Sequence, residues 1–197
     1  MKLKKILIDI IPVLVGILLA LFINNWQQSN SEKNYIQNSV KSIIKENEGN
    51  ILELNEALRR QALFMDTLER YLDDDEYTLA DIIRKSKGVY TPDLKSTTWK
   101  FLIQDSKHTL VSYEFINRLA EIEKYEVLVN RFNTKLGDII FQPAFFDDPR
   151  MKNVCGILFS DYGAIEFSLI NELKEFNDYA RKTYSIPTDT VAIEKSE

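Results

Sequence analysis

Hydrophobic residues are distributed in two ways along this chain. From Ile6 to Ile23 they form a run whose only charge is Asp9, and from about residue 31 onward they recur at helical spacing among polar residues. As a helix, the run of 18 residues would extend roughly 27 Å, close to the hydrocarbon thickness of a bilayer. Its fourteen Ile, Leu, Val and Phe residues favour insertion by on the order of 4–8 kcal/mol, against at most about 3 kcal/mol for Asp9. Lys5, one turn earlier, can pair with that carboxylate. Pro12 falls in the first turns of the apolar part, where a missing N–H costs least. Taken alone, the stretch 10–23 also suits a signal-peptide core or a buried helix, but the segment from Ala20 to Trp26 lacks the spaced small residues of a cleavage site. The expectation is an uncleaved membrane anchor over 6–26 behind a cytosolic N-terminus of residues 1–5. Lys2, Lys4 and Lys5, against Lys33 and Lys41 beyond the span, orient a single-pass inner-membrane protein with its bulk in the periplasm. Gly16 and Ala20, one turn apart, would let two spans approach closely, although both are common in lone spans.

Beyond the run, Ile36, Val40, Ile43, Ile51, Leu54, Leu58, Ala62, Met65, Leu68 and Leu72 mark one face of a helix over 31–72, with Asn47 filling a gap in the stripe. Ten steps in 36 residues give a period of 3.6, the straight-helix value, which favours a helix laid on a globular core over a coiled-coil stalk. No breaker separates this helix from Trp26, so the two join directly; Gly49 is a weak point inside it. Asp73–Glu76 reads as an acidic turn. Thr78 and Asp81 form a capping box for a short helix over 79–87, with Gly88 at its C-cap. A connector with Pro92 leads to a helix over 97–105, Ser112 caps another over 113–136, and Gly137 stops it. Residues 138–159 are illegible except for a turn at Asp147-Asp148-Pro149. A last helix over 161–184 ends before Pro187, and 186–197 read as a loose polar tail. The predicted fold is all-α: the anchor continues into an antiparallel bundle over 27–185.

Composition narrows the function. Setting aside Lys2, Lys4, Lys5 and Asp9 leaves 22 basic and 29 acidic residues outside, a net charge of −7; that balance argues against nucleic acid as a partner. The single histidine, His108, lies between helices and lacks the companions a zinc site needs. Cys155, the only cysteine, sits in apolar company and reads as an inert core residue. Four adjacent carboxylates at Asp73–Glu76 could meet a hard cation but lack calcium-loop spacing, so a solvated turn is the simpler reading. No spacing singles out a carboxylate pair, and no phosphate loop or nucleophile elbow appears. No catalytic, cofactor or metal residue is therefore assigned. Phe141, Phe145 and Phe146 around Pro143 are a candidate contact patch, with core plugging as the rival reading.

The span from Asp9 to Trp26 resembles the signature of an uncharacterised family of small single-span proteins widespread in Bacteroidota, whose span reads acidic-I-I-L-V-V-I-G-I-L-I-A-L-Q-I-N-N-W. Asp9, Gly16, Ala20, Asn24, Asn25 and Trp26 match it position by position. Thr98 to Leu102 and Leu110-Val111 look like the family's middle helix pair. Pro12 and Phe22 depart from its aliphatic and glutamine positions, and Ser106-Lys107 stands where Ser-Gly is common. The resemblance implies an inner-membrane anchor with a helical outer domain and implies no activity. The expected function is a non-enzymatic envelope interaction or scaffold module, with the lipid bilayer and another envelope protein or a second copy as partners. A small-molecule-sensing bundle and, third, a carboxylate-dependent envelope hydrolase are the alternatives.

Overall fold

The computed structural model describes residues 2–104, 106–140, 146 and 148–187, with side chains for all of these except 2–11, 106 and 107. Among the described residues every regular element is helical: α1 (Lys2–Arg70), α2 (Leu79–Lys85), α3 (Thr97–Gln104), a 3-10 turn (Ser106–Leu110), α4 (Tyr113–Ile140) and α5 (Arg150–Tyr184). At 1.5 Å per residue, the 69 residues of α1 extend about 100 Å. The helix passes Trp26 without a break, as the absence of a breaker there implies. Among the described residues no helix is long and apolar enough to cross a membrane. The described side chains of the apolar run begin at Pro12, so 6–11, Asp9 included, lie outside them.

Pairings fix the direction of each element. Asn47 bonds Asn177, Gln61 bonds Glu166 and Lys152 reaches the carbonyl of Tyr71, so α5 runs antiparallel to α1. Phe115 meets Phe176 and Phe132 stacks on Tyr162, which sets α4 antiparallel to α5. Between them the chain returns along α1: Tyr90 bonds Glu53, the Lys95 N–H bonds Asn50 and the Thr98 N–H bonds Glu46. The result is an up–down–up–down helical bundle whose second position is composite, made of α2, an extended connector and α3. Glu46 serves as an external cap for α3, its carboxylate accepting the Thr98 N–H at 3.2 Å.

The core follows a seven-residue register. On α1 the buried positions Ile36, Val40, Ile43, Asn47, Asn50, Leu54, Ala57, Gln61, Phe64 and Leu68 alternate steps of four and three, with Ile44 buried beside Ile43. On α5 Lys152, Cys155, Phe159, Tyr162, Glu166, Leu169, Leu173, Phe176 and Ala180 repeat the pattern, and α4 buries Phe115, Leu119, Ile122, Glu126, Val129 and Leu136. This is the spacing of helices packed at shallow angles in a bundle. The 3.6 period read from α1 is thereby corrected. Asn50 and Gln61 hide two core positions behind polar side chains, and Ile51, Leu58, Met65 and Leu72 are a half-buried flank stripe, not the centre.

Other boundaries differ in explicable ways. The Thr78–Asp81 capping box is present in both directions, each bond 3.2 Å. Its helix ends at Lys85, two residues early, because Lys87 (φ 66°) and Gly88 (φ 96°) turn left-handed and the Gly88 N–H closes on the Ile83 carbonyl at 2.8 Å. Ser112 caps α4 as expected, through the Phe115 N–H. Gly137 does not stop that helix, which runs on to Ile140 because Ile139 and Ile140 still pack on the core. The illegible region contributes its last ten residues to α5, which starts at Arg150 rather than 161. Lys152 at a core position disguised this first turn and a half.

Candidate functional site

Two features stand apart from routine packing. The first is the part of α1 outside the bundle. Nine consecutive Val, Leu, Ile and Phe positions, Val13 to Ile23 apart from Gly16 and Ala20, are between 48% and 70% exposed, and Trp26 is 66% exposed. Apolar side chains cover this collar on every side of the helix, so no single bundle face could bury it. Gly16, Ala20, Asn24, Asn25 and Trp26, the anchor residues expected from sequence, all lie on it and are exposed, and a Cβ added at Gly16 would meet nothing within 4 Å. Among the described residues the Gly16–Ala20 pair stands exposed on α1.

The second is a set of polar residues inside the bundle. At mid-height Asn47 donates to Asn177 at 3.0 Å. Nearer the far end, Gln61 donates to Glu166 Oε1 at 3.0 Å and Tyr162 donates to Asn133 at 2.6 Å. Tyr162 is also sandwiched on Phe132, the rings 3.8 Å apart and nearly parallel. Glu166 is fully buried, and among the described residues its Oε2 and the Gln61 Oε1 have no donor. Burial therefore pushes the Glu166 carboxyl up to about 7, with the Gln61 bond and the nearby Tyr162 hydroxyl opposing the shift only in part. Glu126 on α4 is similar: burial raises it to about 7, with Lys100 pulling down and Glu123 and Glu46 pushing up. The indole N–H of Trp99, lacking good hydrogen-bond geometry, gives it little relief. Lys152 is the buried cation. Its ammonium meets the carbonyls of Tyr71, Leu72 and Asp74 at 3.0, 3.4 and 2.7 Å, closing the C-terminal end of α1. Sequence reasoning found Asn47 but missed Gln61, Glu126, Lys152 and Glu166. The seven-residue register of α5, which places Lys152 and Glu166 in line with Phe159, Leu173 and Ala180, was the signal that could have exposed two of them.

The remaining sequence candidates resolve into structure. Cys155 is buried and its thiol is pushed up to about 11 by that burial, which makes it a packing residue. His108 is exposed on the 3-10 turn. The acidic run is a turn in which Asp74 accepts the Glu76 N–H at 2.9 Å, and the Lys152 ammonium approaches it from inside through the backbone. Among the described residues no three His, Cys, Asp or Glu side chains are grouped to hold a metal. Phe146 is half-buried and packs on the core, which fits plugging at that position; Phe141 and Phe145 lie outside the described residues.

Grooves rather than enclosed cavities mark the surface. One of about 550 Å³ lies where α1 leaves the bundle and α5 ends, between Glu32, Lys33, Leu110 and Tyr184. Another of about 450 Å³ runs beside α3 under Tyr35 and Phe101, and a third of about 300 Å³ at the far end joins Met65, Leu72 and Ile157. Compared with protein families, with curated proteins and with solved structures, the chain matches none.

Proposed function

We propose that this chain is a single-pass envelope protein anchored by residues 6–26, its N-terminus in the cytosol, and that the bundle outside is a non-enzymatic interaction module. The observation that carries the reading is the apolar collar. Nine large aliphatic and aromatic side chains displayed all round one rigid helix favour lipid over water by about 3–5 kcal/mol, and the residues before Pro12 continue the run. Trp26 and the two asparagines then mark a boundary suited to the bilayer surface. Charge agrees: 27–44 carries two basic and one acidic residue, whereas 45–96, reaching the far end and back, carries eight and twelve. The acidic surface is thus held away from lipid. The two carboxyls raised by burial, Glu126 and Glu166, lie between helices away from solvent, which supports binding over catalysis. Partners of the bundle would be another envelope protein or a second copy. The same reading places the chain with the Bacteroidota single-span family that its span resembles.

Membrane fractionation tests the anchor directly. The protein should stay with the membrane pellet in alkaline carbonate, and a reporter fused after Glu197 should be active only outside the cytoplasm. Release by carbonate, or a reporter active only in the cytoplasm, would overturn the proposal.

A further inference from the structure

We propose that the outward side of α5 is the contact surface for a second copy of this chain, the two α5 helices packing side by side and parallel. The parallel direction rests on the anchor reading, and the proposal chooses between the two partners that reading allows. Asn153, Ile157, Ser160, Ala164, Phe167 and Asn171 are all exposed and alternate steps of four and three along α5. That is a second seven-residue register, on the side away from the buried one, and it runs for about 27 Å at 1.5 Å per residue. Ile157 is 65% exposed and Phe167 59%, so the seam turns two large apolar side chains to water. A groove of about 300 Å³ extends this apolar surface from Ile157 and Gly156 onto Met65 and Leu72 of α1.

Charge separates this face from those of the other long helices. The equivalent outward positions carry Lys41, Lys45, Glu48, Arg59, Asp66 and Glu69 on α1, and Lys124, Arg131 and Asp138 on α4, whereas the six on α5 carry no charge. In a two-fold symmetric contact each residue of the seam meets its own copy, so a charge there would face an identical charge. The α5 seam avoids this. Ser160 and Ala164 let two helices approach between the larger Ile157 and Phe167, and Asn153 and Asn171 stand at the ends. An amide both donates and accepts, so each asparagine can bond its own counterpart. The residues flanking the seam are Val154, Asp161 and Ser168 on one side and Gly156, Gly163 and Ile170 on the other. Parallel packing sets the first group against the second across the seam, so the one flanking carboxylate, Asp161, faces glycine rather than another acid.

A contact of this length is modest beside the 1,000 Å² or so that a specific interface buries. Attachment to one membrane compensates by raising the effective concentration of the partner. Because α1 passes unbroken from the apolar collar into the bundle, two anchored copies stand side by side with like ends together. Both α5 helices then run toward the membrane, which selects the parallel arrangement.

Disulfide cross-linking of the full chain in native membranes tests the seam. Cys155 is 2% exposed and stays in place as an internal control. Under mild oxidation Ser160→Cys and Ala164→Cys should each form a linked dimer, in yields at least about fivefold above Lys124→Cys on the outward side of α4. Adding Phe167→Glu to Ala164→Cys sets two carboxylates face to face and should lower that yield by roughly tenfold, while the circular dichroism stays that of wild type. Yields at 160 and 164 no higher than at 124 overturn the proposal, as does a yield that Phe167→Glu leaves unmoved. Asn153→Cys and Asn171→Cys, co-expressed, should each link to their own kind; a link between the two would overturn the parallel arrangement. Carbonate extraction of the same membranes separates the two readings. A retained chain that does not cross-link sinks only the seam; a chain released by carbonate sinks the anchor, and the cross-links then judge the seam alone.

Discussion

Gln61 on α1 and Glu166 on α5 share one hydrogen bond of 3.0 Å, and among the described residues no donor reaches the amide oxygen of Gln61 or the second carboxyl oxygen of Glu166. The arrangement suits a protonated Glu166 better than a carboxylate, because an ionised group there is buried with one oxygen bare. Glu166 and Glu126 both have folded-state values of about 7, above the ordinary carboxyl value of 4.5. Below pH 4.5 both groups are protonated whether the chain is folded or not, and their stabilising effect is fully present. Between 4.5 and 7 the unfolded chain sheds protons that the folded one keeps, so stability falls as pH rises, by on the order of 2–3 kcal/mol for each group; above 7 it levels off. Urea unfolding at pH 5 and pH 8 checks this against Glu126→Gln/Glu166→Gln. The double variant should lose most of the difference between the two pH values that wild type shows, and an unchanged difference would exclude these two carboxyls as its source.

The buried pair Asn47–Asn177 answers to a different arithmetic. Replacing one partner leaves the other's amide buried without its bond, which costs about 1–3 kcal/mol, whereas replacing both can be neutral or stabilising. Asn47→Leu and Asn177→Leu should therefore each destabilise the bundle, and the double variant should recover at least half of the summed loss. Denaturation midpoints of the four proteins measure the coupling. Strictly additive losses would show that the pair does not act as a unit.

Lys152 binds the end of α1 to the start of α5 through three carbonyls. Lys152→Met keeps most of the stem but strands those carbonyls, at a cost of about 2–4 kcal/mol. The loss should appear locally at the far end of the bundle. Cys155 lies one turn further along α5 and is 2% exposed, so its reaction with a thiol reagent should accelerate in the variant before global unfolding. Equal thiol reactivity in both proteins would show that the carbonyl clamp does not hold that end closed.

Sequence pattern revealed the helical class, the Thr78 and Ser112 caps, the left-handed turn at Gly88 and the core position of Asn47, because each rests on local rules of spacing and capping. The seven-residue register stayed hidden for a physical reason. Asn50, Gln61, Glu126, Lys152 and Glu166 occupy core positions that a count of apolar residues skips, and the partners of Asn50, Gln61, Lys152 and Glu166 come from distant parts of the chain. Asn50, for example, exchanges bonds with the backbone of Lys95, 45 residues away. The composite second position was equally illegible, since the extended connector is held by Glu46, Asn50 and Glu53 on α1 rather than by any periodicity of its own. Of the candidate patch, Phe146 packs on the core, and Phe141 and Phe145 lie outside the described residues.

Three glycines separate backbone cost from packing. Gly49 and Gly137 lie inside α1 and α4, and a Cβ added at either meets nothing within 4 Å. Alanine there should stabilise the chain by about 0.5–1 kcal/mol, by raising helix propensity and narrowing the unfolded ensemble. Gly88 also has open space around it, yet its φ of 96° is one that a side chain resists. Gly88→Ala should cost about 1–2 kcal/mol and loosen the end of α2. Thermal unfolding of the three variants distinguishes the effects: Gly49→Ala and Gly137→Ala should melt above wild type and Gly88→Ala below it. If Gly137→Ala melted below wild type, the continuation of α4 through that residue to Ile140 would be the feature in error.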